Sequence, residues 1–89
     1  MSNLPKYSIT NHAMTEATRR QIPLAILESV VLEPEQVVDG DADRKIHQSR
    51  VSINDKLYLI RVVVEQTQPI TIVTVYRTSK IEKYWSDAT

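Results

Sequence analysis

The spacing of hydrophobic residues changes along the chain from a helical period to an alternating one. Ala13 and Ala17 lie four positions apart, on one face of a helix. Thr10 or Asn11 stands where the N-cap of that helix belongs, because a short side-chain oxygen can accept a hydrogen bond from the free amides of a first turn. The pattern therefore predicts a short amphipathic helix over residues 12–20.

A second helix is predicted over residues 23–33. Pro23 suits a helix start because its ring fixes a helical φ angle, and it disfavours helix in the residue before it. The apolar residues at helical spacing are Ile26, Leu27, Val30 and Val31. Pro34 ends the helix, so the two helices form an αα-hairpin.

Alternating positions dominate the rest of the chain. They predict a brief strand at residues 36–38 and three longer strands at 45–53, 57–66 and 70–78. The connections at Asn54-Asp55 and Gln68-Pro69 are short, and short connections join antiparallel neighbours. We expect an α+β fold in which two N-terminal helices cover one face of a three- to four-stranded antiparallel sheet and leave the other face open.

The alternation also assigns side chains to the two faces of this sheet. The apolar set that should face the helices consists of Tyr58, Ile60, Val62 and Val64. Arg61 then points to the open face. In the last strand the outer set consists of Ile72, Thr74 and Tyr76. If the register brings them together, a cation and two hydroxyl groups share the open face.

Length and composition favour one globular domain, residues 1–89. A chain of 89 residues buries only about 60 to 65% of its unfolded surface, which supports one core. There is no cysteine, which excludes disulfides and thiolate chemistry and suits the cytoplasm. No apolar run approaches the ~20 residues that cross a bilayer, so we expect a cytoplasmic protein without a membrane partner.

The net charge of zero conceals an uneven distribution. Residues 28–43 hold six acids and no base, whereas residues 44–85 hold eight bases and three acids, a net charge of 8 − 3 = +5. A basic half can attract a polyanion, although dedicated nucleic-acid binders are usually more basic overall. The alternative is a set of scattered, solvated surface charges.

The sequence gives little indication of a metal site or of a glycine-rich phosphate-binding loop. One glycine cannot build a phosphate-binding loop. The segment at residues 39–43 resembles the start of a calcium loop, but Arg44 and Arg50 occupy the positions that need Gly and Glu. His12 and Glu16 are four residues apart and lack a third matched ligand for zinc. We expect no metal and no cofactor.

The remaining polar residues suit cleavage of RNA without a metal. Such cleavage needs a base for the 2′-hydroxyl proton, cations for the charge that grows on the phosphate, and an acid for the leaving oxygen. We assign catalysis to His12, Arg20, Arg61 and Tyr76. We assign RNA binding to Arg50, Thr74, Lys80 and Lys83, with His47 in reserve.

Each of these residues also has a purely structural explanation. His12 can support a helix start, and Arg20 suits the negative end of the helix macrodipole. A tyrosine such as Tyr76 is more often a packing residue on a strand than an acid, and Arg61 can pair with Glu65 or with an acid of residues 28–43. None of these residues indicates a catalytic site on its own.

Their spacing resembles that of a known family. His12-Ala13, with Arg20 seven residues later and Ile22 shortly after, followed by an apolar helix, looks like the helical half of a small bacterial domain-of-unknown-function family. This family is grouped with the BrnT and RelE-type toxins. Arg61 on one strand and Thr74-Val75-Tyr76 on the next match its strand half. The resemblance covers residues 9–78.

The resemblance implies a RelE/BrnT-like sheet with two N-terminal helices and a ribonuclease toxin held inactive by an antitoxin protein. It also implies that the functional site includes the residues that match the family pattern, which are His12, Arg20, Arg61, Thr74 and Tyr76. Glu16, Gln21 and the acidic segment at residues 28–43 depart from the family pattern.

Two functional hypotheses follow. The first is a metal-independent endoribonuclease toxin, with RNA and an antitoxin as partners. The second is a non-catalytic protein-interaction module that uses a sheet edge and an anchoring tail at Tyr84-Trp85. An uncovered edge strand would also permit a homodimer.

Overall fold

The computed structural model describes residues 6–87, in which five strands form one sheet. In chain order the elements are β1 (Tyr7–Ile9), α1 (Asn11–Arg19), α2 (Leu24–Leu32), β2 (Gln36–Asp39), β3 (Lys45–Ile53), β4 (Lys56–Glu65), β5 (Ile70–Thr78) and α3 (Ile81–Tyr84). The strand order is β1-β5-β4-β3-β2. The predicted α+β class is confirmed, but the prediction of three or four strands is wrong. No helix in the described part of the chain is long and apolar enough to cross a membrane.

The strand that sequence analysis missed is β1. It has only three residues, too few to establish an alternating pattern, and it pairs in parallel with Ile70–Ile72 at the start of β5. The other neighbouring strands pair antiparallel, as predicted. Asn54 and Asp55 both adopt positive φ angles, of 51° and 66°, in the tight turn between β3 and β4. This is the conformation that short polar turn residues tolerate best.

The two long helices begin and end where their sequences direct. Thr10 is the N-cap of α1, and its hydroxyl accepts a hydrogen bond of 3.0 Å from the Ala13 amide. Pro23 precedes the first turn of α2. Together the helices bury five side chains, which are Ala13, Ala17, Leu27, Val30 and Val31. These pack against Ile60, Val62 and Val64 of β4, so the predicted inner face of that strand is confirmed.

A β-bulge changes the faces of β5. Opposite β4, Val63 pairs with Thr74 but Val64 pairs with Ile72, so Val73 is an extra residue on β5. The extra residue reverses the alternation, and both Ile72 and Val75 are buried in the core beneath the helices. The prediction that Ile72 lies on the outer face with Thr74 and Tyr76 is therefore wrong. The Thr10 amide and hydroxyl bind the carbonyl oxygens of Ile72 and Val73, which ties the start of α1 to the bulge.

The face opposite α1 and α2 is not fully open. The chain from Ile81 to Asp87, here called the C-terminal strap, lies over part of it. Gln48 of β3 donates a hydrogen bond of 3.1 Å to the Tyr84 carbonyl oxygen, and Gln36 of β2 donates one of 2.6 Å to the Ser86 carbonyl oxygen. The prediction of an uncovered face is wrong here, because the tail folds back onto two buried or half-buried amides.

Candidate functional site

Four polar residues form a continuous row across the sheet. Gln36, Gln48, Arg61 and Tyr76 occupy directly opposed positions on β2, β3, β4 and β5. Opposed residues on neighbouring strands project to the same face, so the pairing places all four side chains on the face away from α1 and α2. This set is called the polar row below.

Arg61 is a buried cation whose partners in the row are neutral. Its side chain and backbone together are only 8% exposed. The Nε group donates a hydrogen bond of 2.8 Å to Gln48 Oε1, and Nη1 donates one to the Tyr76 hydroxyl. A buried charge is costly unless it is paired, and neither partner carries a negative charge.

One terminal nitrogen of Arg61 remains available. Nη2 donates no hydrogen bond within residues 6–87. No buried side-chain nitrogen or oxygen in that range lacks a partner, so Nη2 must reach solvent. The guanidinium is thus held by neutral groups on one side and offers a donor on the other.

Arg20 brings a second guanidinium to the same phenol. It caps the C-terminal end of α1, and its Cζ atom lies 6.0 Å from the centre of the Tyr76 ring. The corresponding distance for Arg61 is 5.6 Å. The structure therefore brings together three of the four predicted catalytic residues, and two positive groups flank one hydroxyl-bearing ring.

Glu16 orients Arg20. Its carboxylate accepts a hydrogen bond of 3.0 Å from Arg20 Nε, and it also accepts two from Arg19, of 3.0 and 2.8 Å. The two hydrogen bonds from Arg19, and then the one from Arg20, lower the pKa of Glu16 from 4.5 to about 2. The carboxylate therefore stays ionised and keeps Arg20 beside the ring.

This shift predicts a stability difference that depends on pH. Because the pKa of Glu16 is lower in the folded protein, the ionised carboxylate stabilises the fold above the unfolded pKa of 4.5. This contribution to the free energy of unfolding disappears as the pH falls through about 2. We expect Glu16→Gln to be less stable than the unmodified protein at pH 6, with the gap closing between pH 4.5 and 2. Urea unfolding of both proteins across this range measures the gap. Glu33→Gln is the control, because it removes one exposed carboxylate that has no ion pair within residues 6–87; a gap that persists at pH 2 would contradict the assignment.

A groove of about 470 Å³ opens beside Arg61 and Tyr76. Ile46 and Val63 lie next to each other on β3 and β4 and form an apolar floor. Thr74, opposite Val63 on β5, adds a hydroxyl. The turn between β2 and β3 forms the other wall with Asp39, Gly40, Asp41 and Arg44. This volume lies within the range of small-ligand sites, although the lining is more charged than is usual for them.

The C-terminal strap stacks on the polar row. The Tyr84 ring lies 4.4 Å from Arg61 Cζ and meets the Tyr76 ring edge to face, with 6.4 Å between centroids. Trp85 stacks on Arg50 with its ring centre 4.1 Å from Cζ. Tyr84 and Trp85 thus anchor the tail, as sequence analysis suggested, and Tyr84 also fixes the plane of the Arg61 guanidinium.

Other predicted residues lie away from this cluster. His12 is in the first turn of α1, eight residues before Arg20 and therefore about 12 Å from it along the helix. His47 points to the helical side, where Nδ1 lies 2.9 Å from the Val31 carbonyl oxygen. Lys80 is the N-cap of α3, and Lys83 lies within α3 with its Nζ 5.3 Å from the centre of the Tyr84 ring. Their predicted roles are not supported by proximity to Arg61.

The charged segments do not form separate faces. Three of the eight bases from residues 44–85 are bound to carboxylates, in the pairs Arg44–Glu65, Lys45–Asp39 and Arg50–Glu35. Arg50 uses its backbone amide as well as its guanidinium on Glu35. Arg50 is therefore less available for phosphate than Arg61. Within residues 6–87 no group of three or more potential metal ligands lies together.

Gln36 and Gln48 were missed as site residues by sequence analysis. Gln48 is fully buried, and its amide links Arg61, Gln36 and Tyr84. A glutamine within an alternating strand is unremarkable in a sequence, and only the strand register shows that it faces an arginine. For the turn residues that form the groove wall, the sequence suggested only a poor match to a calcium-binding loop.

The family comparison assigns most of this architecture to one domain family. Residues 9–77 match the model of a domain of unknown function, DUF4258. The matched segment includes Arg20, Arg61, Thr74 and Tyr76 and ends before α3. Neither the curated proteins nor the solved structures give a significant match. The predicted membership of a small domain-of-unknown-function family is confirmed: the chain belongs to the DUF4258 family.

Proposed function

We propose that this chain is a metal-independent endoribonuclease of the toxin type, with the RelE/BrnT-like grouping that its sequence resembles. The observation that carries the proposal is the environment of Arg61, a buried cation that has neutral partners, lines a groove and keeps one terminal nitrogen accessible to solvent. A phosphate is the natural counter-ion for such a group, because guanidinium and phosphate form strong charge-assisted hydrogen bonds.

The residues around Arg61 suit the charge changes of RNA cleavage. In the proposed reaction the 2′-oxygen bonds to phosphorus and the bond from phosphorus to the 5′-oxygen breaks. The 2′-hydroxyl proton passes to water, and Tyr76 donates its proton to the departing 5′-oxygen. Arg61 and Arg20 stabilise the additional negative charge on the phosphate.

In this proposal Tyr76 donates a proton in addition to packing on the sheet. Its oxygen accepts a hydrogen bond from Arg61 Nη1, which leaves its own hydrogen free for a ligand. When the phenol gives up that hydrogen, the charge on its oxygen lies beside the Arg61 guanidinium, and Arg20 Cζ lies 6.0 Å from the centre of the same ring. Water returns the proton after each cycle.

The direct test is incubation of the purified protein with single-stranded RNA in excess chelator. We expect fragments that end in a 2′,3′-cyclic phosphate and begin with a 5′-hydroxyl, because attack by the 2′-oxygen produces those ends. Mass spectrometry of the fragments identifies them. Intact RNA, or fragments with a 5′-phosphate, would contradict the proposal.

Arg19 and Arg20 provide a matched pair of variants. Both bind Glu16, but only Arg20 lies near the Tyr76 ring. We expect Arg20→Gln to lower the cleavage rate about tenfold, the effect of losing one charge-assisted contact to phosphate. Arg19→Gln, with the same loss of charge, is expected to stay within about twofold. Equal effects of the two substitutions would show that overall charge, and not the cluster, governs the reaction.

The alternative is a non-catalytic module that binds a protein. One observation favours it: the outer edge of β2 pairs with no other strand within residues 6–87, and Val37 on that strand is 52% exposed. Such an edge accepts a strand from a partner or from a second copy. Intact RNA together with a stable complex that Val37→Lys disrupts would support this alternative.

A further inference from the structure

The groove carries opposite charges on its two sides. Arg61 and Tyr76 lie on one side, and the turn with Asp41 lies on the other. Between them lies the apolar floor of Ile46 and Val63. Along each strand the floor is two residues from the polar row, a distance of about 6.6 Å. A ligand that fills the groove must therefore be anionic at one end, apolar on a face, and rich in donors at the other end.

Asp41 is the carboxylate in this groove that is free to meet a ligand. Asp39 is paired with Lys45, and Arg44 is held by Glu65 at 2.8 Å. The Asp41 side chain is exposed and makes no ion pair or hydrogen bond within residues 6–87. Its charge is thus uncompensated at the rim of a groove whose opposite side carries an uncompensated cation.

The single glycine of the chain sets the position of this carboxylate. A Cβ atom on Gly40 would lie 3.2 Å from Ile46 Cγ1 and 3.3 Å from the Arg44 carbonyl oxygen. The turn backbone therefore lies close to the floor of the groove, and a Cβ atom at this position would be more tightly packed than most. This contact holds Asp41, the next residue, beside the floor.

We infer that this groove binds a guanine nucleotide and that the chain selects guanosine in RNA; the inference rests on the proposed function. Arg61 and Tyr76 would bind the phosphate, and Ile46 and Val63 would contact the face of the base. Guanine has two adjacent N–H donors on one edge, at N1 and N2, and they match the two oxygens of the Asp41 carboxylate. Adenine, cytosine and uracil each present at least one acceptor on the corresponding edge and lack this pair.

Binding of mononucleotides tests the inference without relying on cleavage. Titration of the protein with GMP, IMP and AMP, followed by NMR chemical shifts, is expected to give about tenfold tighter binding of GMP than of the other two. IMP is the sharper comparison, because it lacks only the N2 amino group. Asp41→Asn is expected to remove the preference for GMP.

The control for charge is Asp43→Asn, an exposed residue of the same turn that does not line this groove. It is expected to retain the preference. Equal affinity for the three nucleotides, or a preference that survives Asp41→Asn, would overturn the inference. Cleavage of RNA without base selectivity would then still support the proposed function, whereas selective GMP binding with intact RNA would support the base site and contradict the ribonuclease.

Discussion

Replacement of Tyr76 with Phe is expected to lower the rate of RNA cleavage by at least about 100-fold, the effect of losing a general acid. The substitution removes one oxygen atom and keeps the ring that packs against Tyr84 and lies near both arginines. The free energy of unfolding should fall by about 1–3 kcal/mol, because the substitution removes the oxygen that accepts the hydrogen bond from Arg61 Nη1. Single-turnover cleavage in chelator measures the chemical step and separates it from RNA binding.

Tyr58→Phe is the matched control. Tyr58 also lies beneath an arginine, with Arg77 Cζ 4.4 Å from its ring centre, and it belongs to the core side of β4. Its hydroxyl is remote from the polar row, so cleavage should be unchanged. If Tyr76→Phe cleaves as fast as Tyr58→Phe, the phenol is not the proton donor. The arginines would then have to act by binding alone.

The strands that carry the candidate site were predictable because their patterns are long. The predicted span of 70–78 coincides with β5, and β3 also has its predicted bounds. Alternation placed Arg61 opposite the helical face, and the Thr74-x-Tyr76 spacing placed those two residues on one side. The sequence pattern does not fix the register between these two strands, so it predicts only a shared face for Arg61 and Tyr76. The structure shows that the two residues are directly opposed.

The errors come from features that local patterns do not encode. The residues from Ile70 to Val75 are β-branched, so they satisfy either alternation, and nothing in them indicates a bulge at Val73. The C-terminal strap depends on hydrogen bonds from Gln36 and Gln48, which lie far away in sequence. His12 was grouped with Arg20 because of its residue type and the family resemblance, although the length of α1 keeps the two residues apart.

The polar row also explains how a cation can remain buried without a carboxylate. Each polar atom of Gln48 has a partner: Oε1 accepts from Arg61, and Nε2 donates to Gln36 Oε1 and to the Tyr84 carbonyl oxygen. Gln36 Oε1 also accepts from the Ser86 amide. A buried polar network stabilises a fold when all its members are satisfied and destabilises it when one is removed. Gln48 has the most hydrogen-bond partners of the four residues in the row, namely Gln36, Arg61 and Tyr84.

Gln48→Leu is therefore expected to lower the free energy of unfolding by about 3–5 kcal/mol. The leucine fills similar space but leaves Arg61 Nε and the Tyr84 carbonyl oxygen without their partners. Urea unfolding followed by circular dichroism measures the change. Gln66→Leu is the control: Gln66 is exposed and makes one hydrogen bond of 3.3 Å, so its substitution should cost less than about 0.5 kcal/mol.

A double variant distinguishes a lost network from a general intolerance of leucine at position 48. Much of the cost of Gln48→Leu should come from the buried guanidinium that it leaves unpaired. Removal of that group as well, in Gln48→Leu combined with Arg61→Met, should restore part of the stability, because two apolar partners leave no charge to satisfy. Additive losses would show that the two side chains are not coupled. Arg61 would then be held by the strap and Tyr76, and Gln48 would not be the residue that keeps the cation in place.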